Sequence, residues 1–142
     1  MQVRDIMTRH VQSIRPDASL REAARQMHDL DIGFLPVCDG GRLVGTLTDR
    51  DITVRAVAAG DDPDATSVRE VMASEVIFSF DDEDVASAAR TMKDKQIRRL
   101  VVLNRDKRLV GILSLGDLAD TGDELLAGNT LEFVSEPPGT NR

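Results

Sequence analysis

The sequence predicts a mixed α/β (α+β) protein in which one unit is used twice, and three observations carry that prediction. Residues 3–51 realign on residues 68–117 at a shift of 65, with one residue inserted in the second copy's turn near Arg105, and 19 positions are then identical. Chance would give roughly three at ordinary residue usage. Within each copy, apolar residues at helical spacing alternate with short β-prone runs. Each copy also ends on one pattern, Gly45-Thr46-Leu47-Thr48-Asp49-Arg50-Asp51-Ile52 in the first and Gly111-Ile112-Leu113-Ser114-Leu115-Gly116-Asp117-Leu118 in the second. A glycine, two strand-forming residues, a hydroxyl, two variable positions, an Asp and an aliphatic residue describe a strand handing over to a helix.

Both copies justify the same order of helix, strand, helix, strand, strand, helix. Residues 3–7 and 68–72 read as a short helical turn, begun in the second copy by a capping box of Ser67 and Glu70. Residues 11–14 and 76–80 are β-prone and stop at Pro16-Asp17 and at the acidic run Asp81-Asp82-Glu83-Asp84. An amphipathic helix follows, its Leu20, Ala23, Ala24, Met27 and Leu30 on one stripe and Ser19 with Glu22 as its capping box. Val85, Ala88, Ala89 and Met92 are the second copy's version. Strands at 32–38 and 42–48 are joined by Asp39-Gly40-Gly41, a tight hairpin sequence, and recur at 97–103 and 108–114. A helix from 49 to about 59 stops at Gly60. The repeats therefore span 1–60 and 68–128, with 61–67 as linker and 129–142 as C-terminal tail. In the second copy's last helix Gly116 and Gly122 each cost roughly 1 kcal/mol relative to Ala, so that helix is expected short or bent. Residues 130–134 are expected to fold back on the body, and 136–142 to form a loose tail.

Composition limits the functional classes. A chain of 142 residues, 41% hydrophobic, supports one or two compact cores. No run approaches the roughly eighteen apolar residues of a membrane span, and the first residues lack the basic and apolar regions of a signal peptide, so a cytoplasmic protein with no membrane partner is expected. A net charge of −7 argues against DNA as a partner, since that binding rests on neutralising phosphates with Lys and Arg. The charge is uneven: residues 61–84 carry nine acids against Arg69, whereas 93–108 carry seven basic residues against two acids. A polyanion small enough to touch only the second segment could still be accommodated. Cys38, the single cysteine, reads as a small buried hydrophobe at the end of an apolar run. His10 and His28 have no metal-ligand spacing to Cys38 or to each other, and no metal is expected. No nucleophile with a base, and no paired carboxylates in a defined pocket, suggest an enzyme.

Two copies of this order, each ending in Gly-h-h-[Thr/Ser]-x-x-Asp-h (h, hydrophobic), resemble the CBS domain family in its usual paired form. The likeness covers about residues 3–120; Ile32-Gly33-Phe34-Leu35-Pro36-Val37 is similar to the family's middle strand and Thr48-Asp49-Arg50-Asp51 to its ligand motif. The resemblance implies two βαββα units packed about a pseudo-twofold axis, with clefts that in relatives commonly take adenosine compounds. It implies that Asp51 and Asp117 hold ribose hydroxyls. Thr48 and Ser114 would lie near phosphate, together with Arg50, Arg98 and Arg99, whose guanidinium groups suit paired, charge-assisted hydrogen bonds. Gly33 and Phe34 replace those last two arginines in the first copy, and Val101 stands where the first copy has Pro36, so the two clefts differ. Val11, Ile14, Val76 and Ile77 are the candidates for the apolar walls around the base.

Each of these residues also has a plainer explanation. Asp51 and Asp117 with their hydroxyls can be nothing more than helix caps, Arg50 the partner of a neighbouring Asp, and Arg98 and Arg99 charges at a strand edge. Two functional classes are therefore carried forward. One is a regulatory module sensing an adenosine-containing ligand of the AMP, ATP, NAD or S-adenosylmethionine class and signalling to an unknown protein partner. The other is a dimeric interaction module with vestigial clefts. No cofactor is required in either, and a homodimer is expected from the thin aliphatic helices.

Overall fold

The computed structural model describes residues 1–121 and 124–135, so Gly122 and the expected tail at 136–142 lie outside the described residues. The chain forms two compact units that cut across the sequence halves: Gln12–Val76 make one, and residues 1–11 with the chain from Ile77 onward make the other.

In the unit of residues 12–76, Ser19 and Glu22 close the expected capping box on α1 (Leu20–Leu30). The helix ends at Asp31 with φ 53. Strands β1 (Phe34–Asp39) and β2 (Arg42–Thr48) form an antiparallel hairpin. Gly40 and Gly41 turn it at φ 59 and 83, the two positive values that a tight primed turn requires. Ile14 bridges in parallel to Val37 beyond β1, and Ala73 bridges to Thr46 beyond β2. Of the strand expected at 11–14, only that single bridge forms. The ladder cannot extend toward residue 12 because Pro36 has no N–H to donate, leaving Ile14 N–H to the Pro36 carbonyl (2.9 Å) and Cys38 N–H to the Ile14 carbonyl (2.9 Å).

The helix expected from 49 to about 59 begins as α2 (Asp49–Asp51) and widens into a π-helical turn over Ile52–Val57, with Gly60 at φ 77 past its end. Two causes lie in the sequence. The β-branched run Ile52-Thr53-Val54 crowds an ordinary turn, and the Thr53 hydroxyl donates to the Asp49 carbonyl (3.1 Å), competing with the backbone ladder. The core of this unit gathers Ile14, Leu20, Ala23, Met27, Leu35, Val37, Leu47 and Ala56 with Val68 and Val71 from the second copy's opening turn.

The other unit repeats the plan with a fuller sheet. A short β3 (Phe78–Phe80) runs parallel to β4 (Arg99–Leu103), which is antiparallel to β5 (Leu109–Ser114); Thr8 bridges to Ile112 on the far side. Here Val101, in the place of Pro36, pairs with Phe78, so the strand forms. Expected at 76–80, it starts two residues later. Helix α3 (Val85–Lys95) buries Val85, Ala88, Ala89 and Met92. After β5 comes α4 (Leu115–Ala119), five residues long, as the glycines predicted. Helix α5 (Glu124–Val134) then packs on α3 and α4, so the segment 130–134 does fold back, with Thr130 and Val134 buried. Ala89 is buried in the unit that carries this extra helix, while its counterpart Ala24 on α1 is exposed. Val3 and Met7, from the chain's first turn, complete this core. Each unit thus contains the opening turn of the other sequence copy. Among the described residues no helix is long and apolar enough to cross a membrane.

Candidate functional site

The glycine that opens each closing pattern is needed for packing. A Cβ at Gly45 would lie 2.6 Å from the Ala73 carbonyl oxygen, and one at Gly111 would lie 2.6 Å from Met7 Sδ and 2.8 Å from the Thr8 carbonyl oxygen. The absent side chains let residues 72–73 and 7–8 cross β2 and β5 closely enough to pair with them. The hydroxyl three residues later ends the strand and caps the helix.

In the unit of residues 12–76, Thr48 is extended at φ −115 and its Oγ1 accepts from the Asp51 N–H at 3.0 Å, while Asp51 Oδ2 accepts from the Thr48 N–H at 2.9 Å. Asp51 Oδ1 faces Arg55 Nε at 3.8 Å, and the Arg55 Nη1 donates to the Val71 carbonyl at 3.2 Å. Arg50 is exposed and lines an open depression of about 320 Å³ with Asp49, Thr53 and Val54. Asp49 occupies the space beside Gly33, where a Cβ would come within 2.6 Å of its carboxylate, and its N–H donates to the Gly33 carbonyl at 3.0 Å. The register of the hairpin sets Phe34 opposite Thr48.

In the other unit the same cap forms, with Ser114 Oγ accepting from the Asp117 N–H (3.1 Å) and Asp117 Oδ2 accepting from the Ser114 N–H (2.9 Å). The remaining contact differs in kind. The Thr8 hydroxyl lies 3.3 and 3.4 Å from the two Asp117 oxygens. Arg99 pairs opposite Ser114 in the sheet, so their side chains leave from one face. Arg98 contributes its carbonyl to the Leu115 N–H (3.2 Å), while its guanidinium donates to Ser135 Oγ just beyond α5 (3.3 Å).

Both carboxylates are half-buried, and each retains lone pairs that the cap leaves unused. A carboxylate at a helix start, beside a hydroxyl, can accept from two vicinal hydroxyls; the free N–H groups of the first turn favour an anion. The basic segment is less available than its composition suggested. Arg105 is held by Asp82, Nη2 to Oδ1 at 2.8 Å, and its guanidinium stacks 4.0 Å from the Phe80 ring centre. The hydrogen bond from Arg105 holds the Asp82 carboxyl below the usual range. Lys93 donates to Asn129 Oδ1 at 2.9 Å.

The base-wall candidates come two from each unit. Ile14 is a core residue of the first-described unit, and Val76, in the same unit, is 37% exposed. Ile77 packs against the other unit's core, and Val11, half-buried, belongs with it. Cys38 is only partly buried, and burial pushes its thiol up, with a smaller opposite effect from Ser13. Among the described residues no three His, Cys, Asp or Glu side chains cluster as metal ligands would. Thr8 and Arg55 were not legible as site residues. Arg55 could have been found as the cation four residues after Asp51; Thr8 is one of several positions at which residues 3–10 and 68–75 differ, and nothing local singles it out.

Comparison with known proteins places these features. The CBS domain model matches residues 3–57 and 68–123. The CBS domain-containing protein YhcV of Bacillus subtilis is 41% identical over 117 residues, 82% of each chain. Hypoxic response protein 1 of Mycobacterium tuberculosis is 37% identical over 117 residues, 82% of this chain and 81% of that one. A crystal structure of Hypoxic Response Protein I with two coordinated zinc ions superposes with a TM-score of 0.77 at 36% identity, covering 84% of this chain and 98% of that one. The CBS domain pair of protein MJ0100, in complex with 5′-methylthioadenosine and S-adenosyl-L-methionine, gives a TM-score of 0.76 at 29% identity, covering 86% and 99%. With two matched copies, the octapeptide pattern in each and the fold of known pairs, this chain belongs to the CBS domain family.

Proposed function

We propose that the protein is a regulatory module that binds an adenosine-containing ligand through Asp51 and Asp117 and passes the change to a protein partner in trans. The observation that carries this reading is the pair of half-buried carboxylates, each set at a helix start with its hydroxyl and with acceptor capacity beyond the cap. The adenosine compounds bound by the MJ0100 pair support the ligand class, and the register of Arg99 with Ser114 supports a phosphate or comparable anion at that end. Cytoplasmic location and a homodimer complete the proposal. The interaction-module alternative draws on the completeness of both caps, since a closed capping box accounts for Thr48, Asp51, Ser114 and Asp117 without a ligand.

The absence of Trp and Tyr, with only four Phe, makes the decisive experiment simple. Protein loaded with AMP, ATP, NAD or S-adenosylmethionine and desalted should keep an adenine band near 260 nm that is released on denaturation. Saturation at a hundred times Kd should stabilise the fold by about 2.7 kcal/mol. Asp51→Ala and Asp117→Ala should each weaken one site by roughly ten- to a hundredfold, the worth of a charged hydrogen bond. A protein that retains no band and shows no melting shift with any of these ligands would leave the interaction module as the function.

A further inference from the structure

We infer that Thr8 positions the Asp117 carboxylate for a ribose diol, that Arg55 competes for the corresponding carboxylate of Asp51, and that Asp117 is therefore the tighter of two unequal sites. The inference rests on the adenosine reading and adds which residues set the order of affinity.

The molecule supplies its own control, because Thr8 and Ala73 occupy the same place in the two copies. Thr8 exchanges backbone hydrogen bonds with Ile112 (2.9 and 3.0 Å), and Ala73 exchanges them with Thr46 (2.9 and 3.0 Å). Gly111 and Gly45 admit the two crossings alike. The backbones agree, and only the side chains differ. The Thr8 hydroxyl reaches Asp117 at 3.3 and 3.4 Å, while the Ala73 methyl has nothing to offer Asp51. Asp51 instead faces a guanidinium at 3.8 Å, fixed from behind by the Val71 carbonyl at 3.2 Å. At the corresponding place in the second copy stands Thr121, neutral, its hydroxyl turned to the Leu118 carbonyl at 2.7 Å.

The chemistry of the two partners differs. A hydroxyl both donates and accepts, so Thr8 can hold the Asp117 carboxylate and still accept from a hydroxyl of the ligand. Its neutrality leaves the carboxylate's full charge for the diol. A guanidinium only donates, and its charge draws on Asp51 Oδ1, the oxygen that the cap leaves open. A diol arriving at Asp51 must displace or share that cation. A diol arriving at Asp117 meets an acceptor already aimed and uncompensated.

Titration calorimetry with AMP and with adenosine tests the inference, using Asp51→Ala and Asp117→Ala to assign the two binding steps. Wild type should show the tighter step at Asp117. Thr8→Val, close to the same shape, should weaken that step about five- to tenfold, and Thr8→Ser should restore it to within about twofold, as expected for one neutral hydrogen bond. Arg55→Thr combined with Ala73→Thr should tighten the Asp51 step, a gain that general loss of structure cannot mimic. Unchanged affinity in Thr8→Val, a tighter step assigned to Asp51, or no gain in the double variant overturns the inference while leaving the adenosine reading intact. Wild type that binds neither probe overturns both.

Discussion

At the scale of single residues, the closing pattern combines two demands. Gly45 and Gly111 answer to packing, and the hydroxyl and Asp to the end of a strand. Gly111→Ala should therefore destabilise the fold by about 1–3 kcal/mol, the usual cost of forcing an extra carbon into a filled space, measured by urea unfolding. Unchanged stability would mean that residues 7–8 can retreat without loss. Cys38 leads to a second prediction. Because burial raises its thiol above the ordinary range, the native protein holds less thiolate near pH 8 than a free cysteine does, and it should react slowly with a disulfide reagent until denatured. Immediate reaction would place the sulfur in solvent. The caps were legible because their partners lie three residues apart, and the spacing alone fixes the geometry. The Thr8 contact with Asp117 spans 109 positions, a distance over which no local pattern operates.

At the scale of elements, the helices and hairpins were legible because each carries its own punctuation: Ser19 with Glu22, Gly40 with Gly41, Gly60. The strand expected at 11–14 failed for a reason that lies on its neighbour, where Pro36 has no donor. The π-helical turn was hidden because an apolar spacing does not reveal how wide a turn is. Helix α5 lies beyond the matched family region yet buries Thr130 and Val134, ties Gln96 Nε2 to the Phe133 carbonyl at 3.1 Å, and places Phe133 5.2 Å from Lys93 Nζ. A chain ending at Thr121 should lose only the share of α5 from its helical circular-dichroism signal but melt lower by roughly 3 °C or more, as a loss of about 1 kcal/mol does in chains of this size. An unchanged midpoint would show that α5 merely rests on α3.

At the scale of the molecule, the exposed apolar residues Val54 and Val57, with the uncovered Ala24 of α1, support the proposed pairing with a second copy. Light scattering at micromolar concentration should give twice the 15.5 kDa of one chain, and a monomer's mass would remove the homodimer. The duplication was plain in the sequence, but the trading of opening turns between the units was not, since identical patterns give no sign of which copy a turn will join. That trade imposes an order on synthesis. The unit of residues 12–76 draws on an unbroken stretch and can close once residue 76 has left the ribosome, whereas Val3 and Met7 join a core whose other buried members lie at residues 85–118. Domains form as units while the chain emerges from its N-terminus, and contacts between distant segments form late. Residues 3–7 are thus made before residues 12–76 yet placed after them, and until Leu118 appears the core that their apolar turn joins is incomplete.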